Sequence, residues 1–168
     1  MTTSGAPLLT VNGLQVCVGE RKLVHDLDLQ LCGGETLAIL GRNGCGKSTL
    51  LHTLAGVRPV VCGSVELCGQ TYVAHVRDDS RGVARLRGLL TQTQNDAFPA
   101  TVLETALIGR HPHLGRWAWE SRADERIARD ALAAVGLQGF DQRDVHALSG
   151  GERQRLAIAT LLTQQPLL

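Results

Sequence analysis

Leucine and valine alternate with polar residues over Leu8–Val18 and again over Leu23–Leu31, with "GERK" between the runs. A period of two puts one row of side chains on each face of a pleated ribbon, so the pattern predicts a β-hairpin or two neighbouring strands. "CGGE" then marks a tight turn. The run Glu35–Leu40, "ETLAIL", is apolar without alternation, which predicts a short strand buried on both faces. A glycine-rich stretch follows, then Lys47–Ala55, where Leu50, Leu51 and Leu54 recur at helical spacing and Gly56 supplies a stop. "GSVELCGQTY" predicts a second hairpin, Leu86–Thr91 another strand, and "QTQNDAFPAT" a polar loop. From Thr101 the period changes. Val102–Ile108 and Ser121–Val135 read as helices, the second with Ile127, Ala131, Leu132 and Val135 on one face and Gly136 as a stop. Ser121 and Asp124 are spaced as a capping pair. A strand-rich first half is thus followed by a mostly helical Thr101–Leu148.

Composition narrows this picture. A chain of 168 residues has room for one domain with a sizeable core, and with aromatics at 3% that core must come from Leu, Val, Ala and Ile. The net charge of +1 gives no field to attract nucleic acid, and no nucleic-acid partner is expected. Two basic clusters, Arg81/Arg85/Arg87 and Arg110/His111/His113/Arg116, are expected to be solvated faces. The cysteines, at positions 17, 32, 45, 62 and 68, are odd in number and lack C-x-x-C spacing. That disfavours a disulfide framework or a zinc site and suits a reducing cytosol. "MTTSGAPLL" lacks the pattern of a signal peptide, and no apolar run is long enough to span a bilayer. A membrane role is expected to come through a partner.

Two short stretches carry the candidate chemistry. Gly41–Ser48, "GRNGCGKS", fits G-x-x-x-x-G-K-[ST] between a predicted strand and a predicted helix, the context in which such a loop cradles phosphates. Gly41, Arg42, Asn43, Gly44, Cys45 and Gly46 would form the loop, whose glycines let backbone N–H groups converge on an anion. The helix beginning near Gly46 adds its positive dipole end. Lys47 supplies a point charge for the outer phosphates, Ser48 a hydroxyl for Mg²⁺, and Thr49 a bond to an inner phosphate. Cys45 is expected to be alkylated readily and to be protected by Mg-ATP. The second stretch is "LSGGERQR", Leu148–Arg155. Ser149 and Glu152 have capping-box spacing before an apolar-periodic run that includes Leu156, Ile158 and Leu161. A simple cap does not require Gly150 and Gly151, which are poor helix formers. Their exposed N–H groups suit an incoming anion, so the motif can both cap a helix and bind phosphate.

"LSGGERQR", about a hundred residues after the phosphate loop, resembles the signature motif of ATP-binding cassette (ABC) ATPases. The resemblance covers nearly the whole chain, from about Leu8 to Leu168. It implies an α/β fold: a P-loop NTPase core of ABC type, a mixed β-sheet with N-terminal antiparallel strands plus a helical subdomain. The expected division is 1–98 for the nucleotide-binding core, 99–148 for the helical subdomain, and 149–168 for the signature helix and the start of the second part of the core. The family further implies ATP and Mg²⁺ as ligands and a head-to-tail pair of ATPase domains. Lys47, Ser48 and Thr49 would act in cis; Ser149, Gly150 and Gly151, with Glu152, would close on the γ-phosphate in trans. Gln92 resembles the glutamine that follows the third core strand and touches Mg²⁺, with Gln94 as competitor. "FPATVLETALIGRHPHLG", with Gly109, Arg110 and Pro112, is similar to the importer branch for iron–siderophore, haem and cobalamin uptake. That implies transmembrane permease subunits as partners, a substrate-binding protein indirectly, and a peripheral place on the cytoplasmic face of the bacterial inner membrane.

The sequence departs from the family in two places. Val18 stands where an aromatic residue usually stacks on adenine, so weak base stacking is expected. The chain ends at "TQQPLL", before the strand that in the family carries an aspartate for Mg²⁺ and a glutamate for water, and before the switch histidine. The expectation is a fold incomplete at the C-terminus, a fragment or truncated product that does not hydrolyse ATP alone. The competing readings are a nucleotide-binding module without turnover and a non-transport ABC ATPase.

Overall fold

A computed structural model describes residues 6–71, 80–92, 99–115 and 117–168. They fall into two compact units, one within Met1–Arg87 together with Leu168, the other Gly88–Leu167.

In the first unit, β1 (Pro7–Val18) and β2 (Arg21–Cys32) form the expected hairpin, turned at Gly19, whose φ is 58°. They are followed by α1 (Lys47–Leu54), β3 (Cys62–Leu67), β4 (Gln70–Thr71) and α2 (Ser80–Leu86). The sheet is antiparallel in the order β2-β1-β3-β4. Cys68 and Gly69 close the second hairpin with φ of 48° and 77°, the pair of positive values that a tight two-residue turn demands. β1 keeps one face in the core by changing step. Leu9 and Val11 are buried, the register shifts between Val11 and Leu14, and the buried row resumes at Leu14 and Val16. At the shift the Gly13 N–H donates to Asp28 at 2.7 Å. Val65, Leu67 and Leu54 of α1 complete this core.

Two predicted strands do not form. Residues 35–40 and 87–91 carry no regular structure, and Leu86 is the last residue of α2. Leu40 is 90% exposed rather than buried on both faces. An apolar run becomes a strand only when a neighbour pairs with its N–H and C=O groups, and among the described residues the ladder runs no further than β2-β1-β3-β4. The antiparallel part of the expected mixed sheet is therefore the part in place.

The second unit is helical, as the change of period predicts. It holds α3 (Val102–Leu107), a 3₁₀ turn (Ile108–His113), α4 (Arg122–Ala134), a 3₁₀ turn (Val145–Ala147) and α5 (Gly150–Gln164). Val102, Ala106, Leu132, Leu137, Val145 and Leu156 centre its core. α4 is rotated slightly from the predicted face: Ala128 is buried with Ala131 and Leu132, while Ile127 is only half-buried. Each of α3, α4 and α5 starts with a reciprocal capping box, Thr101 with Glu104, Ser121 with Asp124 and Ser149 with Glu152.

Candidate functional site

The loop Gly41–Gly46 leads into α1. Gly44 and Gly46 have φ of 76° and 104°, values that side-chain-bearing residues rarely adopt. At Gly46 space is also short, because a Cβ there would lie 2.7 Å from Leu23 Cδ1. The Cys45 N–H donates to the Arg42 carbonyl at 3.3 Å, and the Cys45 sulfur lies against Gly41, 2.8 Å from where a Cβ would stand. Lys47 Nζ donates to the carbonyls of Gly41 at 2.8 Å and Arg42 at 2.9 Å, so the ammonium is folded onto the loop that precedes it. Ser48 is exposed, Thr49 is half-buried, and the Thr49 carbonyl accepts from the Thr53 hydroxyl at 2.9 Å.

α1 begins differently from the three boxed helices. Its cap is Gly46, which makes no side-chain bond to the first turn, and that turn contains no acidic residue. The first amides of α1 thus keep their partial positive charge, next to a lysine and a hydroxyl. A cation, a helix start and hard oxygen donors of this kind suit a phosphate with a divalent cation.

At the second motif, Ser149 donates to Glu152 Oε2 from both its N–H and its hydroxyl, each at 2.7 Å, and the Glu152 N–H returns a bond to Ser149 Oγ at 3.4 Å. These bonds from Ser149, side chain first, hold the Glu152 carboxyl below its ordinary range, helped by the charges of Arg143 and Arg155. The same box at Thr101 and Ser121 shows that the cap alone marks no site. What sets Ser149 apart is the glycine pair that follows it, exposed and, at Gly150, with open space where a Cβ would be.

The predicted residues divide between the units. Gly41–Thr49 belong to the first; Gln92 and Ser149–Glu152 belong to the second. Gln92 is exposed in a bend and follows no strand. Gln94 and Arg116 lie outside the described residues. Val18 is exposed at the end of β1. The five cysteines are free thiols. Among the described residues no group of three His, Cys, Asp or Glu could hold a metal ion, and no helix is long and apolar enough to cross a membrane.

In the basic cluster at Arg110, His111 is exposed as expected, but Arg110 is not solvated. Arg110 is 8% exposed, and its Nε donates to Asp124 at 2.8 Å. A count of charges along the sequence misses this. The sign available was the glycine before it, which permits close packing.

Comparison with known proteins gives the family. The ABC transporter family model matches residues 24–168. The hemin import ATP-binding protein HmuV of Burkholderia mallei is 41% identical over 165 residues, covering 94% of this chain and 60% of that protein. The petrobactin import ATP-binding protein FpuD of Bacillus anthracis is 38% identical over 159 residues, covering 93% of this chain and 56% of the relative. The chain therefore spans about 60% of the length of the curated relatives it matches. An inward-facing structure of an ABC transporter assigned to the metal-chelate type superposes with a TM-score of 0.78 at 30% identity, over 95% of this chain and 58% of that one. A nucleotide-free ATP-binding cassette from an ABC transporter shares the fold, with a TM-score of 0.77. The chain belongs to the ABC transporter family.

Proposed function

We propose that this chain is the ATP-binding part of an import ATPase that drives uptake of a metal chelate, of the haem or siderophore class named for its relatives. The observation that carries this is the loop Gly41–Thr49. Lys47 is bonded to the carbonyls of Gly41 and Arg42, Gly44 and Gly46 hold the loop in positive φ, and the helix that follows has no side-chain cap.

On this reading the loop amides and the α1 dipole hold the β-phosphate, and the Lys47 ammonium leaves its two carbonyls for the outer phosphates. Ser48 would offer its hydroxyl to Mg²⁺, which would neutralise charge on the phosphates; Gln92 is the further ligand that the family resemblance implies. Thr49 bonds an inner phosphate. Bound Mg-ATP supplies the γ-phosphoryl group whose transfer to water releases the driving energy. Gly150 and Gly151 present their amides to the γ-phosphate of ATP bound by a partner domain, and the Ser149 hydroxyl turns its hydrogen from Glu152 to that phosphate. The partners are a second ATPase domain, arranged head to tail, and permease subunits; the site of action is the inner face of the membrane.

The test compares ATP turnover by the 168-residue chain with a chimera extended at its C-terminus by the residues of the Burkholderia mallei relative that follow the matched stretch, each beside Lys47→Ala. Turnover by the chimera, abolished by Lys47→Ala, is the expected result. Binding without turnover in both forms would favour a nucleotide-binding module, and turnover that survives Lys47→Ala would refute the assignment.

A further inference from the structure

Among the described residues Arg110 is the one charged side chain that is buried. A guanidinium removed from water needs several compensating partners. They come from two helices. Nε donates to Asp124 at 2.8 Å, and one terminal nitrogen donates to the Thr163 carbonyl at 3.2 Å and to Gln165 Oε1 at 3.1 Å. Asp124 belongs to the capping box that starts α4, whereas Thr163 and Gln165 lie at the end of α5. The rest of the 3₁₀ turn acts on the same end. His113 Nε2 lies 2.8 Å from the Gln164 carbonyl. A Cβ at Gly109 would collide with the Thr160 carbonyl and stand 3.1 Å from the Thr163 side chain.

An α-helix leaves its last four carbonyls without intrahelical donors. In α5 three of them are met: Leu162 by the Gln165 N–H, Thr163 by Arg110 and Gln164 by His113. The closing residue, Gln165, has φ of 53°, where glycine would sit without strain. Glycine, however, could not accept a bond from Arg110. The strained glutamine therefore points to a requirement beyond ending the helix.

The other end of α5 is the Ser149–Gly151 turn, about 22 Å away at 1.5 Å per residue. We propose that Arg110 is a positioning residue for that turn. By tying the end of α5 to the start of α4, it sets the axial position and rotation of a rigid rod, and so where the Ser149 hydroxyl and the two glycine amides are presented. The functional meaning rests on reading that turn as the phosphate-binding signature.

The test is amide hydrogen exchange by NMR on the 168-residue chain, without nucleotide. Glu152 and Arg153, bonded to Ser149, report the start of α5, and Gln165 its end. Arg110→Ala and Gln165→Gly are expected to speed exchange at Gln165 and, by about threefold or more, at Glu152 and Arg153, with Arg110→Lys recovering part of the loss. Arg129→Ala, which removes exposed pairs with Glu125 and Asp141, is expected to leave Glu152 and Arg153 unchanged. Acceleration confined to Gln165, or the same acceleration in Arg129→Ala, would overturn the proposal. If Arg110→Ala does not fold, Arg110→Lys and Gln165→Gly decide. Added Mg-ATP gives a separate answer: a chain that does not bind it refutes the nucleotide reading and leaves the Arg110 result intact.

Discussion

Gly46 meets two demands that no other residue type meets together. Its φ of 104° excludes most side chains, and Leu23 fills the space where a Cβ would go. Gly46→Ala is expected to cost about 1–3 kcal/mol from backbone strain alone, measurable by urea denaturation, and to weaken Mg-ATP binding as well. Unchanged stability would show that the loop reshapes freely. Cys45 offers a chemical probe of the same loop, since its thiol is exposed and lies against Gly41. Alkylation of Cys45 is expected to be slowed severalfold by saturating Mg-ATP. Equal labelling rates with and without nucleotide would contradict the placement of phosphate there.

At the scale of the elements, the helical unit depends on its boxes. Ser149→Ala removes the two bonds between its hydroxyl and Glu152, leaving the one from its N–H, and is expected to destabilise the chain by ~1 kcal/mol. Asp124 gives a pH signature. Bonds from the Ser121 hydroxyl and N–H, then from Arg110, hold its carboxyl at about 2. Because its folded value is lowered, its contribution is complete above the unfolded carboxylate value of ~4 and is lost as pH falls towards ~2. Glu104 and Glu152 are lowered in the same direction, chiefly by bonds from Thr101 and Ser149. Thermal unfolding followed by circular dichroism from pH 6 to 2 is expected to show an acid loss of stability that is shallower in Asp124→Asn. An unchanged slope in that variant would mean that Asp124 keeps its ordinary value.

For the whole molecule, what the sequence made legible was whatever local rules decide. The hairpins follow from alternation and turn glycines. The starts of α4 and α5 follow from a serine placed three residues before an acid. The loop follows from glycines before Lys47. What stayed hidden depends on distant partners. Residues 35–40 and 87–91 have strand-like composition, yet pairing is a property of the neighbour and not of the run itself. Arg110 reads as one more surface cation, because its carboxylate and carbonyl partners lie 14, 53 and 55 positions away. The β1 row was legible in kind but not in phase, since the register shift before Leu14 moves the buried positions by one.

The measurement that tests the central claim most directly is equilibrium binding of Mg-ATP to this chain and to its Lys47→Ala variant, with circular dichroism confirming that both are folded. Saturable binding by the parent chain, weakened at least about tenfold in the variant, is the predicted result, as expected when a lysine–phosphate contact worth about 1.4 kcal/mol or more is lost. Equal affinity in the two proteins, or no binding by the folded parent, would contradict the account of Gly41–Thr49 as the nucleotide site.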